Sequence, residues 1–123
     1  MSELLDRQML FTRLLASLIQ RANSEPGYAC AGRELQRSPE QAALNQEAGV
    51  GTQHSCHIRS LAIDLELYRR QPDGSWKWLT ESEDYRWLGD WWTEQSRLCR
   101  WGGSFNRRPD GNHFSILSPE GWA

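Results

Sequence analysis

Two segments of the chain place a histidine close to a carboxylate. In the first, Ser55-Cys56-His57-Ile58-Arg59-Ser60-Leu61-Ala62-Ile63-Asp64, His57 precedes Asp64 by seven positions. An odd separation puts two side chains on opposite faces of an unbroken strand, and an unbroken helix would hold the two Cα atoms about 10 Å apart along its axis. Both side chains can bind one ion only if the chain turns between them. We expect that turn at the polar pair Arg59-Ser60, with a strand after it.

The second segment is Asp110-Gly111-Asn112-His113, in which a flexible glycine lets both flanking side chains approach one point. A catalytic zinc ion takes three protein ligands and leaves a fourth position for water, whose pKa it lowers to about 7 in favourable sites. His57, Asp64 and His113 supply three ligands of the right kind. Asp110 would then accept the proton of the attacking water and pass it to the leaving amine.

Each of these residues also has a plain structural explanation. A single histidine is more often a structural group than a ligand, and Arg108-Pro109-Asp110-Gly111 is a good turn sequence. Asp64 is harder to account for, because aspartate is a poor strand former. Ser55 is either a turn serine or a hydrogen-bond donor that orients a ligand. Cys56 is left out of the ligand set, since neighbours on a strand point to opposite sides.

The pattern of apolar residues predicts the elements that must position these groups. From Leu61 to Leu67 apolar and other residues alternate, which is the period of a strand with one face in the core and Asp64 on the other. A hairpin is predicted around Pro72-Asp73-Gly74. Further predicted elements are helices from Ser2 to about Asn23, from Pro39 (capped by Ser38) to about Glu47 with a stop at Gly49, and from Glu83 to about Arg97, and a strand from His113 to Ile116. The predicted fold class is α+β: a small central antiparallel sheet that carries the site, packed by about three helices.

Length and composition exclude several classes of protein. A chain of 123 residues, 38% of them hydrophobic and 24% charged, is expected to form one globular domain. The net charge of −2 and the pI of about 5.9 argue against a nucleic-acid binder, which needs a broad basic face. Its three cysteines lie far apart, as expected of reduced thiols in a cytosol. No segment has the roughly 20 apolar residues of a membrane span, and acidic Glu3 and Asp6 lie where a secretory signal is basic. We therefore expect a protein made in a cytoplasm and not inserted into a membrane.

The order of these motifs resembles that of the metallopeptidases grouped as lysostaphin, D-alanyl-D-alanine peptidase and hedgehog types. Within that group it is most similar to small bacteriophage endolysins that are L-alanyl-D-glutamate peptidases. The family pattern runs Ser-x-His-x-x-Gly-x-Ala-x-Asp, Leu-Gly-x-x-Trp, Trp-Gly-Gly and Asp-x-x-His-Phe. It is matched over about residues 28 to 117 by Ser55, His57, Ala62, Asp64, Leu88-Gly89, Trp92, Trp101-Gly102-Gly103, Asp110 and His113-Phe114, and Arg37-Ser38-Pro39-Glu40-Gln41 resembles an upstream family segment. Ser60 departs from the pattern, which has glycine at that position.

The resemblance implies a single zinc peptidase domain over residues 1–123 that acts on the stem peptides of peptidoglycan. Zinc would be held by His57, Asp64 and His113, with Asp110 as general base. Arg37 would bind the substrate or stabilise the oxyanion, and Arg33, close by in the sequence, competes for that role. A monomer is expected, made in the host cytoplasm and released to the cell wall through a holin-type pore.

Two alternatives stay open. One is a D-alanyl-D-alanine carboxypeptidase or dipeptidase that uses the same metal and a differently shaped pocket. The other is a non-catalytic wall-binding domain of the same fold. Zinc content and the new termini released from cell wall would distinguish the three.

Overall fold

The fold is built on one antiparallel sheet of five strands. The computed structural model describes residues 2–33, 35, 38–47 and 55–123. Within these residues lie helices α1 (Glu3–Ser24), α2 (Pro39–Glu47) and α3 (Arg86–Gln95) and strands β1 (Tyr28–Gly32), β2 (Ala62–Arg70), β3 (Trp76–Trp78), β4 (Cys99–Trp101) and β5 (His113–Ile116). Short 3-10 turns are formed by Cys56–Arg59, Ser82–Tyr85 and Gly102–Ser104. For this part of the chain, the predicted α+β class with three helices and a small antiparallel sheet is confirmed.

The sheet is organised around β2. One edge of β2 pairs with β1, whereas the other edge pairs with β5 through residues 62–64 and with β3 through residues 68–70; β4 then pairs with β5. Between these two stretches, the Leu65 N–H donates to Asn112 O at 2.8 Å and the Leu67 N–H donates to Tyr85 Oη at 3.0 Å. Backbone groups of β2 are thus satisfied where no strand adjoins them. The sheet is split between β3 and β5.

The apolar core lies on one face of β2. Successive side chains of a strand point to opposite faces, and the apolar side chains at positions 61, 63, 65 and 67 are buried in one cluster with residues of α1, α3 and β5. At its centre, the fully buried ring of Trp92 lies edge-to-face with Phe11 of α1 and Phe114 of β5, at 6.2 Å in each case. The opposite face of β2 is therefore left for polar side chains, among them Asp64.

The first helix begins one residue after its predicted start at Ser2, and the second begins at Pro39, after the predicted cap Ser38. Ser2 Oγ accepts a hydrogen bond from the Leu5 N–H at 3.1 Å, and Ser38 Oγ accepts one from the Gln41 N–H at 3.0 Å. The predicted stop of the second helix at Gly49 lies outside the described residues. In the part of the chain that the structure describes, no helix has both the length and the apolar character that crossing a bilayer requires.

The third helix is shorter than predicted. It begins at Arg86, after the 3-10 turn Ser82–Tyr85, and ends at Gln95. The buried Tyr85 hydroxyl donates to Leu79 O at 2.7 Å and accepts from the Leu67 N–H, so tertiary contacts hold this turn in place. At the other end, Ser96 is extended because the chain there turns into β4.

The predicted hairpin joins β2 to β3. The Gln71 N–H donates to Ser75 O at 2.7 Å, and Gly74 has a φ of 87°, which favours glycine. Strands β1 and β4 were not predicted from the sequence. They complete the two outer edges of the main sheet.

Candidate metal centre

A tight turn carries His57 back over the face of β2. Ser55 Oγ accepts from the His57 backbone N–H at 3.2 Å, the Leu61 N–H donates to Cys56 O at 3.0 Å, and Ser60 takes the left-handed conformation with φ 55° and ψ 41°. The turn predicted at Arg59-Ser60 is therefore present. Ser60 adopts a conformation that glycine would adopt without a steric cost.

Ser55 contacts the backbone of His57 and not its ring. Its hydroxyl caps the 3-10 turn, so it positions the histidine through the main chain. Of the two functions predicted for Ser55, the turn serine is the one that this contact supports.

Strand pairing brings His113 to the same place. Asp64 of β2 lies directly opposite His113 of β5, so both side chains lie on the same face of the sheet. Asp64 Oδ1 is 3.2 Å from His57 Nε2 and 3.6 Å from His113 Nδ1, and the two imidazole rings are 5.2 Å apart between centroids. Three residues that are distant in the sequence thus form one cluster.

The cluster fits a divalent metal. One potential ligand atom from each residue lies within 4.8 Å of the others. Zinc bonds of about 2.0–2.2 Å in a tetrahedral arrangement place neighbouring ligand atoms about 3.3–3.6 Å apart, close to the two distances at Asp64. The opposite ring nitrogens, His57 Nδ1 and His113 Nε2, are buried and have no hydrogen-bond partner among the described residues. Hydrogen bonds from the far side therefore do not fix the tautomer of either ring, and the contacts with Asp64 are the polar contacts that orient them.

Asp64 is held in its ionised form. Burial disfavours the charged carboxylate, but hydrogen bonds from His113 and His57, together with their charge, outweigh burial and keep the pKa of Asp64 well below its usual range. A carboxylate that is ionised and partly buried is a competent ligand for a hard or borderline cation.

Asp110 lies in a loop that is closely packed below His113. Its backbone N–H donates to Gly102 O at 2.9 Å, and its carbonyl accepts from the His113 N–H at 3.0 Å. A Cβ at Gly102 would lie 2.1 Å from Asp110 O, and a Cβ at Gly111 would lie 2.6 Å from Ser82 Cα. Gly111 was predicted to provide flexibility, but its φ is not positive and the lack of a side chain is what the packing requires.

A cavity of about 230 Å³ opens at the split between β3 and β5. The loop with Asp110 and Asn112 forms one wall, and Trp78 at the end of β3 forms the other. Glu66, on the same face of β2 as Asp64, also lines it, and its carboxylate accepts hydrogen bonds from Arg33 Nε at 3.0 Å and from the Tyr68 hydroxyl at 3.4 Å. This cavity was not predicted from the sequence, although the alternation that places residues 64, 66 and 68 on one face was a signal for it.

The remaining candidates separate into three groups. Arg37, predicted to contact substrate, lies outside the described residues, as does His54. Arg33 lies next to the cavity, paired with Glu66 and hydrogen-bonded to Tyr68 Oη at 3.0 Å. Cys56 points away from the cluster: its thiol bonds Ile116 O and Trp122 O, and burial raises its pKa to about 12.

The fold is similar to that of a solved structure. No protein-family model and no curated protein matches the sequence. Among solved structures, the crystal structure of the L-Ala D-Glu endopeptidase ChiX of Serratia marcescens is similar, with a TM-score of 0.64 and 22% sequence identity. The match covers 86% of this chain and 77% of that one. The chain therefore has a fold similar to that of this endopeptidase.

Proposed function

We propose that the protein is a zinc-dependent peptidase that cleaves the L-alanyl-D-glutamate bond in peptidoglycan stem peptides. The observation that carries the proposal is the convergence of His57, Asp64 and His113 beside a cavity whose wall includes Asp110. The similar fold of an L-Ala D-Glu endopeptidase supports the choice of substrate. The motif order in the sequence supports the same choice.

Each residue would have a defined part in hydrolysis. His57 Nε2, His113 Nδ1 and the Asp64 carboxylate would hold zinc. When bound, zinc supplies a Lewis acid that polarises the peptide carbonyl and makes water a better nucleophile. Asp110 would take the proton from the attacking water and give it to the leaving amine. Arg37 would steady the negative charge that develops on the carbonyl oxygen.

The burial of the cluster suits this chemistry. His57 is 2% and His113 6% exposed, so both rings are held by packing and lose little freedom when they bind an ion. Asp110 is exposed at the cavity, where water and a peptide have access. Ligands and base would thus meet at the boundary between the sheet face and the cavity.

The test is digestion of purified cell wall by the zinc-loaded protein. We expect new amino-terminal D-glutamate on released peptides, identified by mass spectrometry, and loss of cleavage with a chelator. Release of free D-alanine instead would identify the D-alanyl-D-alanine carboxypeptidase alternative. Stoichiometric zinc with no new termini on any wall type would contradict the peptidase proposal, whereas wall binding without zinc would favour the non-catalytic domain.

We further propose an endolysin role, with synthesis in a host cytoplasm and release through a holin-type pore. Expression in a bacterial cytoplasm should then be tolerated until a separate pore-forming protein is induced. Lysis that begins without such a pore would contradict this route.

A further inference from the structure

At the end of the cavity farthest from His57, Asp64 and His113 lies an aromatic side chain, Trp78, that the proposed chemistry does not use. Trp78 of β3 lies directly opposite Tyr68 of β2, so both side chains share the face that carries Asp64 and Glu66. Trp78 lines the cavity and is 54% exposed. An indole ring left half in water is available to contact a ligand that extends out of the cavity.

The distance from the metal cluster to this pair suits a particular part of the proposed substrate. Tyr68 lies four residues after Asp64 on β2, which is about 13 Å along a strand. In a stem peptide, the L-alanine before the scissile bond is joined through a lactyl group to a sugar of the glycan. L-alanine and a lactyl group of similar length together span about 7 Å at full extension. The sugar ring would therefore begin just over halfway from Asp64 to Tyr68.

The charge of the cavity also favours a substrate whose L-alanine and sugar point towards Trp78. The exposed Arg33 pairs with Glu66 at 3.0 Å, and Glu66 and Asp110 contribute carboxylates to the lining. The D-glutamate side of the scissile bond carries carboxylates of its own, which these two carboxylates would repel. The alanine side of the scissile bond leads to uncharged groups, so it is the side that fits this cavity better.

We propose that Trp78, with Tyr68 beside it, stacks on the sugar to which the stem peptide is attached. The protein then prefers a sugar-linked stem peptide to the same peptide without its sugar. This inference rests on the proposed peptidase function and on cleavage next to L-alanine. Trp78 is a specificity residue in it, remote from the reacting atoms.

The test compares two soluble substrates, a muramic-acid-linked L-Ala-D-Glu tripeptide and the same tripeptide with an acetyl group in place of the sugar. For the zinc-loaded wild type, we expect kcat/KM to be about twofold to tenfold higher with the sugar, mainly through a lower KM, since one aromatic stack has that strength. Trp78→Ala should bring the ratio of the two kcat/KM values close to one, and Trp78→Tyr should keep most of it.

Trp76→Ala is the matched control. Trp76 is 45% exposed on the same hairpin, but the Arg70 guanidinium lies 4.5 Å from the centre of its ring, and it does not line the cavity. Its substitution should leave the substrate ratio at the wild-type value.

The outcomes separate the two proposals. If the wild type cuts both substrates equally well, or if Trp78→Ala leaves the ratio unchanged, the sugar subsite is wrong while the peptidase function stands. An equal loss on both substrates in Trp78→Ala would show a structural role and would also overturn the subsite. If the zinc-loaded wild type cuts neither substrate, the peptidase function fails and the subsite fails with it.

Discussion

The two ends of the cavity are built in opposite ways. At the metal-cluster end, His57 and His113 are buried, and the loop before His113 is packed so closely that Gly102 has no room for a side chain. At the hairpin end, Trp76 and Trp78 are about half exposed on a three-residue strand. Rigid burial favours a group of ligands that must meet at one point, and exposure favours contact with a polymer too large to be enclosed.

This difference implies that substitutions should have graded effects along β2. Those at the buried end should affect the metal, the reaction and the folding together, since the same contacts serve all three. Those at the exposed end should affect recognition with little change in stability.

Asp64→Ala should have the largest effect. It removes the carboxylate that lies within 3.6 Å of both imidazoles, so a zinc site would lose one ligand and the charge that balances the ion. We expect zinc content after dialysis, measured by elemental analysis, to fall to background and cleavage to be lost. Asp90→Ala, on the exposed side of α3, is the control and should keep both. Full zinc occupancy in Asp64→Ala would show that the ion is held elsewhere.

Asp110→Asn should separate metal binding from turnover. The amide keeps the shape of the side chain and leaves the backbone bonds to Gly102 and His113 in place. We expect normal zinc content with a fall in kcat of about 10²- to 10⁴-fold, the usual contribution of a general base. Unchanged kcat in Asp110→Asn would assign the base to another group.

Gly102→Ala should weaken the fold at the buried end. Its Cβ would lie 2.1 Å from Asp110 O and 2.7 Å from His113 Cβ, and relief of that overlap must move the loop or the ligand. We expect the free energy of unfolding in urea to fall by about 1–3 kcal/mol, with weaker zinc binding. In Gly32→Ala, where the nearest atom is Ile63 Cδ1 at 3.6 Å, the change should stay within about 0.5 kcal/mol. Equal stability of the two variants would mean that the loop adapts freely.

The sequence predicted most of the regular elements because their signals are local. The alternation in β2, the apolar spacing of α1, the capping serine of α2 and the turn at Pro72-Asp73-Gly74 depend on neighbours in the chain. β1 and β4 have no such signal: Tyr28–Gly32 is mostly small residues without alternation, and β4 has three residues. Their pairing is decided by contacts with distant strands.

The candidate site shows the same division. The turn that carries His57 towards Asp64 was predicted from their odd separation, and motif order led to His113 as the third member of the cluster. The cavity was not predictable, because it depends on β3 and β5 pairing with different stretches of one edge of β2. The need for glycine at position 111 was likewise hidden, since the atom that it must avoid belongs to Ser82.

Ser60→Gly should have the smallest effect, and it should stabilise the protein, whereas Gly102→Ala should weaken it. Ser60 has a φ of 55°, a conformation that costs an ordinary residue about 1–2 kcal/mol relative to glycine. Glycine also loses more backbone entropy on folding, which offsets about 0.4–1 kcal/mol of that gain. We therefore expect the free energy of unfolding in urea to rise by roughly 0.5–1 kcal/mol.

Ser60→Ala is the matched comparison, because alanine keeps the Cβ that makes this conformation costly. It should give no gain, and neither variant should change zinc content, since the turn is closed by backbone bonds from Ser60 and Leu61. If Ser60→Gly proved less stable than wild type while Ser60→Ala did not, entropy would outweigh strain. If both variants lost stability, the hydroxyl of Ser60 would have to support the turn. Glycine and serine at position 60 would then be two different ways to form the turn that carries His57 over β2.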